Sequence, residues 1–230
     1  MQWEHIRKVK FSLIIALIFH VVGLIGIKWI DQDGFVAMTP YNLLLSLILI
    51  LWTQEKLNFS FIVFFLVAFQ TGFFTEYLGV NRQLLFGHYQ YEATLGYKLF
   101  GVPLIIGVNW FMIVYCSAIT IGLLFKFIWS NFFTTTFPEN TIFAKLIIIL
   151  FGAMMAMSFD WLMEPVAIKL GYWTWLRDGN IPVKNYWDWF FVSAFLIFIF
   201  MNLNINRKNL FAVCLLLIQS LFFISLRLML

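Results

Sequence analysis

The sequence predicts an all-α integral membrane protein: a polytopic bundle of about seven transmembrane helices with a parallel internal repeat. Three observations predict it. Of 230 residues, 63% are hydrophobic and 11% charged, against about 25% charged in a soluble domain, and mean hydropathy is +0.91. Apolar runs long enough to cross a bilayer as helices recur along the chain. Two of the connections between those runs share one unusual spacing of acid, glycine and aromatics.

By length, spans fall near 11–30, 38–54, 59–78, 102–128, 142–163, 187–204 and 209–228, the second being the shortest. The first reads as an anchor, because it is too long for a signal-peptide core and lacks a small-x-small cleavage site. Short polar links follow at 31–34, 54–58 and 204–209, a slightly longer one at 130–141, and two long polar connections at 76–101 and 160–186. The chain is expected to form a single integral-membrane domain over 1–230, with repeat copies at roughly 59–128 and 142–204.

Orientation follows the basic residues in short loops. Arg7, Lys8, Lys10, Lys56, Lys126, Lys145, Arg207 and Lys208 lie on one side. Lys28, Arg82, Lys98, Lys169, Arg177, Lys184 and Arg227 lie on the other. The first set occupies the shorter segments, which places the N-terminus in the cytoplasm. The net charge of +4 is spread out, giving no support for nucleic-acid binding. Twenty-nine Phe and ten Trp suit lipid contact and interfacial belts, or the lining of a tunnel for an apolar ligand. Cys116 and Cys214 lie inside apolar runs and read as packing residues.

The repeat is the best handle on function. Glu76 precedes Gly87-His88-Tyr89-Gln90-Tyr91, and at the same offset Asp160 precedes Gly171-Tyr172-Trp173-Thr174-Trp175. A proline follows each (Pro103, Pro182), then an asparagine near a tryptophan: Asn109-Trp110 in one copy, Asn185 and Trp187 in the other. Glu76 ends the third span and Asp160 approaches the end of the fifth, two crossings later. Both loops therefore emerge on the same face and meet over one central cavity.

Glu76, Glu92, Asp160, Glu164, Asp178 and Asp188 are the acids in or beside these connections. Asp160 and Glu164, four apart, share a helix face, and Pro165 is expected to end that helix near Glu164. Like charge, the negative helix end and partial burial then disfavour ionisation of the pair. A carboxylic acid that keeps its proton near neutral pH is what a general acid needs. Both acids could instead pair with Lys169 or Arg177, and Glu76 with Arg82, since an unpaired charge at membrane depth costs about 2.5–3.5 kcal/mol. Aromatic faces at Tyr89, Tyr91, Trp173, Trp175, Trp187 and Trp189 could form an interfacial belt or steady a transient cation. His88, the only histidine in these loops, reads as a local hydrogen-bonding group. No His or Cys pair has metal-ligand spacing, and Asp160-x-x-x-Glu164 lacks the companion acidic motif of a Mg²⁺ site.

These residues resemble a known family. Glu76-Tyr77-Leu78-Gly79-Val80, Phe86-Gly87-His88-Tyr89-Gln90-Tyr91, Leu95-Gly96 and Gly101-Val102-Pro103 are similar to the first signature of the CruF-type integral-membrane carotenoid hydratases. Asp160, Glu164-Pro165, Gly171 to Trp175, Ile181-Pro182, Asn185 and Trp189 are similar to the second. Where many relatives have a Pro-x-x-Trp run, this chain has Gly107-Val108-Asn109-Trp110, so Asn109 is not carried over as a site residue. The Pro-x-Glu-Glu pattern of the small lycopene cyclases is missing.

The resemblance implies hydration of the terminal trisubstituted double bond of an acyclic ψ-end group, on a γ-carotene- or lycopene-like substrate, giving a tertiary alcohol. It implies no cofactor and no metal. Asp160 or Glu164 would supply the proton, with Glu76 as the partner from the other copy. Arg82, His88, Tyr89, Tyr91, Trp173, Trp175, Asn185, Trp187 and Trp189 would bind substrate. It further implies a bacterial inner membrane, lipid contact, and association with other carotenoid-pathway enzymes. A carotenoid- or lipid-binding protein or transporter without chemistry would carry the same aromatic richness. The gathering of acids at helix ends rather than mid-membrane favours the enzyme.

Overall fold

The computed structural model describes residues 2–133, 137–138, 141–176 and 179–230; Arg177 and Asp178 lie outside them. The first helix, α1 (Gln2–Ile25), runs on into a π-helical turn, Gly26–Ile30. A short α2 (Gln32–Ala37) follows, its start fixed by the Asp31 carboxylate accepting from the Gly34 N–H. Helix α3 (Thr39–Thr53) has Pro40 in its first turn, where no N–H is missed. Asn58 caps α4 (Phe59–Arg82), and Gln83 closes it in the left-handed conformation. Strand β1 (Tyr89–Tyr91) and a small hairpin of β2 (Lys98–Leu99) with β3 (Val102–Pro103) lead to α5 (Ile105–Phe132). Thr141 caps α6 (Ile142–Lys169), which is followed by β4 (Trp173–Trp175), α7 (Val183–Asn202) and α8 (Leu210–Met229).

The all-α bundle expected from the sequence is what forms. Among the described residues six segments are long and apolar enough to span, and the expected second span appears as the 15-residue apolar helix α3. At about 1.5 Å per residue α3 reaches roughly 22 Å, short of a hydrocarbon core of about 30 Å. Helix α5 forms the axis, with Trp110, Phe111, Val114 and Tyr115 fully buried. It packs against α4, α6 and α8, while Phe, Leu and Ile side chains on α1, α4, α6 and α8 stay exposed as a lipid-facing coat.

Each expected repeat copy contains a long helix, a short strand and a second long helix: α4-β1-α5 and α6-β4-α7. The two strands pair antiparallel, Tyr89 opposite Trp175 and Tyr91 opposite Trp173. That pairing joins the two long connections on one face of the bundle.

Two expectations are corrected here. Helix α6 does not stop near Glu164 but continues through Pro165 to Lys169. Pro165 denies only the Trp161 carbonyl its donor, on a residue that is half exposed, and a helix tolerates that locally. The two acids therefore lie inside the helix rather than in its last turn, where the dipole would act on them most. Helix α4 likewise runs past Glu76 to Arg82.

Candidate functional site

Strand pairing explains why aromatics alternate in the repeated motif. Side chains two apart on a strand share a face, so Tyr89, Tyr91, Trp173 and Trp175 all turn inward and are buried. Gln90 and Thr174 turn out and are exposed. Beneath this aromatic roof lie Glu76, Asp160 and Glu164, exposed by only 5%, 1% and 3%.

Each carboxyl has its own donors. Glu76 Oε2 accepts from the Tyr91 hydroxyl at 2.8 Å and from the Tyr89 hydroxyl, and its Oε1 accepts from Trp110 Nε1 at 2.9 Å. Glu164 Oε2 accepts from Trp173 Nε1 at 3.1 Å and Trp175 Nε1 at 3.0 Å. Asn185 Nδ2 donates to Asp160 Oδ2 at 2.7 Å and more weakly to Glu164 Oε1 at 3.4 Å. Asp160 is thus the carboxyl with fewest donors. The three acids, the roof, Asn109, Asn185 and the stacked Trp110–Trp189 pair (3.7 Å between centroids, 9° between planes) surround a chamber of about 20 Å³. A chamber of that size holds about one water.

The chamber abuts a second, far larger cavity of about 450 Å³, with Ile106, Asn109, Met163 and Trp173 lining both. Its wall is mostly aliphatic and aromatic side chains of α1, α3, α6 and α8. Phe19, Val22, Met38 and Tyr41 line it and are also exposed on the lipid-facing surface, so the cavity opens sideways toward the bilayer. A small chamber lined by acids thus lies against a large apolar cavity.

Burial, then the Glu76 charge, pushes the Tyr89 and Tyr91 phenols well above the usual tyrosine range. Burial, tempered by a hydrogen bond with Thr39, pushes Tyr172 up to about 12. A phenol with a raised folded-state pKa adds stability that is full below the unfolded value near pH 10 and is lost as pH climbs through the folded one. The protein is therefore expected to lose thermal stability above about pH 10, and Tyr91→Phe should reduce that alkaline loss. Melting curves in detergent check both.

The loop leading to the roof is braced. Phe86 has φ +62°, unusual for a bulky residue, and its N–H donates to Asp188 Oδ2 at 2.6 Å. Lys184 pairs with the same carboxylate and donates to the Leu84 carbonyl at 3.0 Å. Gly87, at φ +142°, lies where a Cβ would meet Pro182 at 2.8 Å and the Trp175 ring at 2.9 Å. Asp188 is thus a brace for the chamber wall.

The chamber brings together Glu76, Asp160, Glu164, Tyr89, Tyr91, Trp173, Trp175, Asn185 and Trp189. It does not include Arg82, His88 or Trp187. Arg82 is exposed and does not pair with Glu76, because six residues along a helix turn it about 240° away. His88 precedes Tyr89 on the strand path and so faces the other way; its carbonyl accepts from the Leu176 N–H at 2.7 Å. Trp187 is 55% exposed and stacks on Phe191, whereas Trp189, about 200° further round α7, is 4% exposed.

Sequence reasoning missed Trp110 as a Glu76 donor, along with Phe86, Ile106, Asn109 and Met163. One signal was present: Pro103 to Trp110 and Pro182 to Trp189 are the same offset. Gly72 allows Trp110 its place, since a Cβ there would lie 2.4 Å from the Trp110 Cβ. Gly72→Ala should push Trp110 off Glu76 and cost about 1–3 kcal/mol by overpacking. A lowered melting temperature in detergent is the check.

No curated protein and no solved structure matches the chain. A family model described as carotenoid biosynthesis protein matches residues 37–229, which contain every residue of the chamber. The chain belongs to the carotenoid biosynthesis protein family.

Proposed function

We propose that this membrane protein is a carotenoid hydratase, adding water to the terminal trisubstituted double bond of an acyclic ψ-end group to give a tertiary alcohol. The observation that carries the reading is the one-water chamber with three buried carboxyls, abutting an apolar cavity. The mostly apolar lining of the large cavity suits a polyene chain, whose end group would reach the carboxyls past Ile106, Asn109, Met163 and Trp173.

Donor supply supports a division of labour. Glu76 and Glu164 are each served by several N–H or O–H donors and are assigned the accepting roles, whereas Asp160 has one donor. Asp160 is assigned the proton. Its carboxyl hands H⁺ to the less substituted alkene carbon, and the π pair forms the new C–H bond. The tertiary cation left next door lies among aromatic faces, worth about 2 kcal/mol when desolvated, and near the Glu76 and Glu164 carboxylates. The chamber water forms the C–O bond and gives its proton to Glu164. Glu164 then returns that proton through the chamber to Asp160, four residues away on the same face of α6 and lining the same chamber, so the net reaction consumes one water. No cofactor or metal enters these steps. Admitting a single water limits proton loss to an unwanted alkene.

With the N-terminus in the cytoplasm of a bacterium, the chamber occupies the outer half of the inner membrane. Such a product would pass among other carotenoid-pathway enzymes in the same bilayer.

The test is expression in cells that accumulate lycopene or γ-carotene, with pigments separated by chromatography in ¹⁸O-water. A labelled tertiary alcohol is expected. A cyclised hydrocarbon would make the chain a cyclase, and unchanged pigment bound to purified protein would make it a binder.

A further inference from the structure

The large cavity is not uniformly apolar, and three of its polar groups lie on helices that contribute nothing to the carboxylate chamber. His20 of α1, Asn42 of α3 and Gln219 of α8 all line it. His20 and Gln219 are exposed by 5% and 8%. Polar side chains within a bilayer are costly unless they find partners, and they mark ligand paths. These three have not used up their capacity. His20 Nδ1 donates to the Ala16 carbonyl at 2.7 Å, a tautomer that leaves Nε2 as a hydrogen-bond acceptor. Asn42 Oδ1 is buried with no partner, and Gln219 makes no side-chain hydrogen bond among the described residues. The neighbouring Thr39 and Tyr172 hydroxyls, by contrast, are hydrogen-bonded to each other at 2.8 Å.

We propose that His20, Asn42 and Gln219 form a binding site for a hydroxyl group carried on an apolar chain. The chemistry selects a hydroxyl over a carbonyl. His20 Nε2 and Asn42 Oδ1 are both acceptors and call for an O–H donor, while the amide N–H groups of Asn42 and Gln219 can serve the hydroxyl oxygen. An unsubstituted hydrocarbon leaves all of them unpaired, and a ketone leaves the acceptors unpaired. Taking the chain to be a carotenoid rests on the hydratase reading; the preference for a hydroxyl does not. If both hold, the cavity favours the alcohol that the reaction makes, or a substrate already hydroxylated elsewhere, over the bare hydrocarbon.

The experiment measures binding rather than turnover. The full chain bearing Asp160→Asn, in phosphatidylcholine nanodiscs, is titrated with lycopene, a monohydroxylated lycopene and a keto analogue, read by quenching of tryptophan fluorescence. The alcohol should bind on the order of tenfold more tightly than the other two, as expected for two net hydrogen bonds. Asn42→Leu with Gln219→Leu should bring the ratio to about one while leaving lycopene binding intact, and that binding reports that the variant is folded. If the double variant binds neither pigment, His20→Phe alone decides through the same ratio. Equal binding of all three pigments, or a preference that survives these substitutions, overturns the site alone. Binding of no pigment by the parent protein overturns the site and the carotenoid reading together.

Discussion

Asp160→Asn is expected to lower hydrated pigment by about 10²–10⁴-fold, the usual worth of a positioned general acid. Expression and pigment binding should be unchanged. The substitution is nearly isosteric, and the new side-chain carbonyl can still accept the Asn185 N–H that reaches Asp160 at 2.7 Å. What it removes is the transferable proton. Glu164→Gln is the informative companion. Its carbonyl can still accept from Trp173 and Trp175, so the roof stays in place. The loss there should be smaller, because water capture of a tertiary cation needs less help than protonation of an alkene. Chromatography of pigments from matched amounts of membrane protein measures both. The reverse order of effects would move the proton donor to Glu164, and no effect from either would remove acid catalysis by this pair.

How much of this could be read from the chain depends on what kind of pattern carried it. Spans were legible because apolar length is a one-dimensional property, and only α3, shorter than the bilayer core, departed from the count. The alternation at Tyr89 and Tyr91 and at Trp173 and Trp175 was legible because a strand has period two, although nothing local indicated that the two strands would pair. Helical phase was harder. Choosing Trp189 over Trp187 requires knowing where α7 begins, and Pro182 sets that start. Partners were hardest of all. Arg82 is close to Glu76 in sequence, yet three neutral donors from β1 and α5 take the carboxylate instead. An arginine six positions along a helix points elsewhere, whereas a strand folded back over the helix end points at it. The aromatic richness suited a tunnel for an apolar ligand, but the large cavity could not be placed from the sequence, because its walls come from helices far apart along the chain.

Glu76 poses the sharpest choice between charge and architecture, and two substitutions at this position separate them. Glu76→Gln should leave the protein folded. The two amide hydrogens can go to the Tyr89 and Tyr91 hydroxyls, each able to turn and accept, while the amide oxygen keeps the Trp110 N–H. Melting temperature in detergent should therefore stay near that of the parent. Hydrated product should fall by about tenfold to a hundredfold, about 1.4–2.7 kcal/mol, because the cation loses one of its facing carboxyls in a buried site. Glu76→Leu should lose both properties. It strands three buried donors, at about 1–3 kcal/mol each, and the roof that Tyr89 and Tyr91 form over the chamber has nothing left to hold it down. A Gln variant with full activity would make Glu76 an anchor for β1 alone. Product lost only in step with folding would point the same way. Loss of product in a protein that melts like its parent is the outcome that assigns Glu76 to the chemistry.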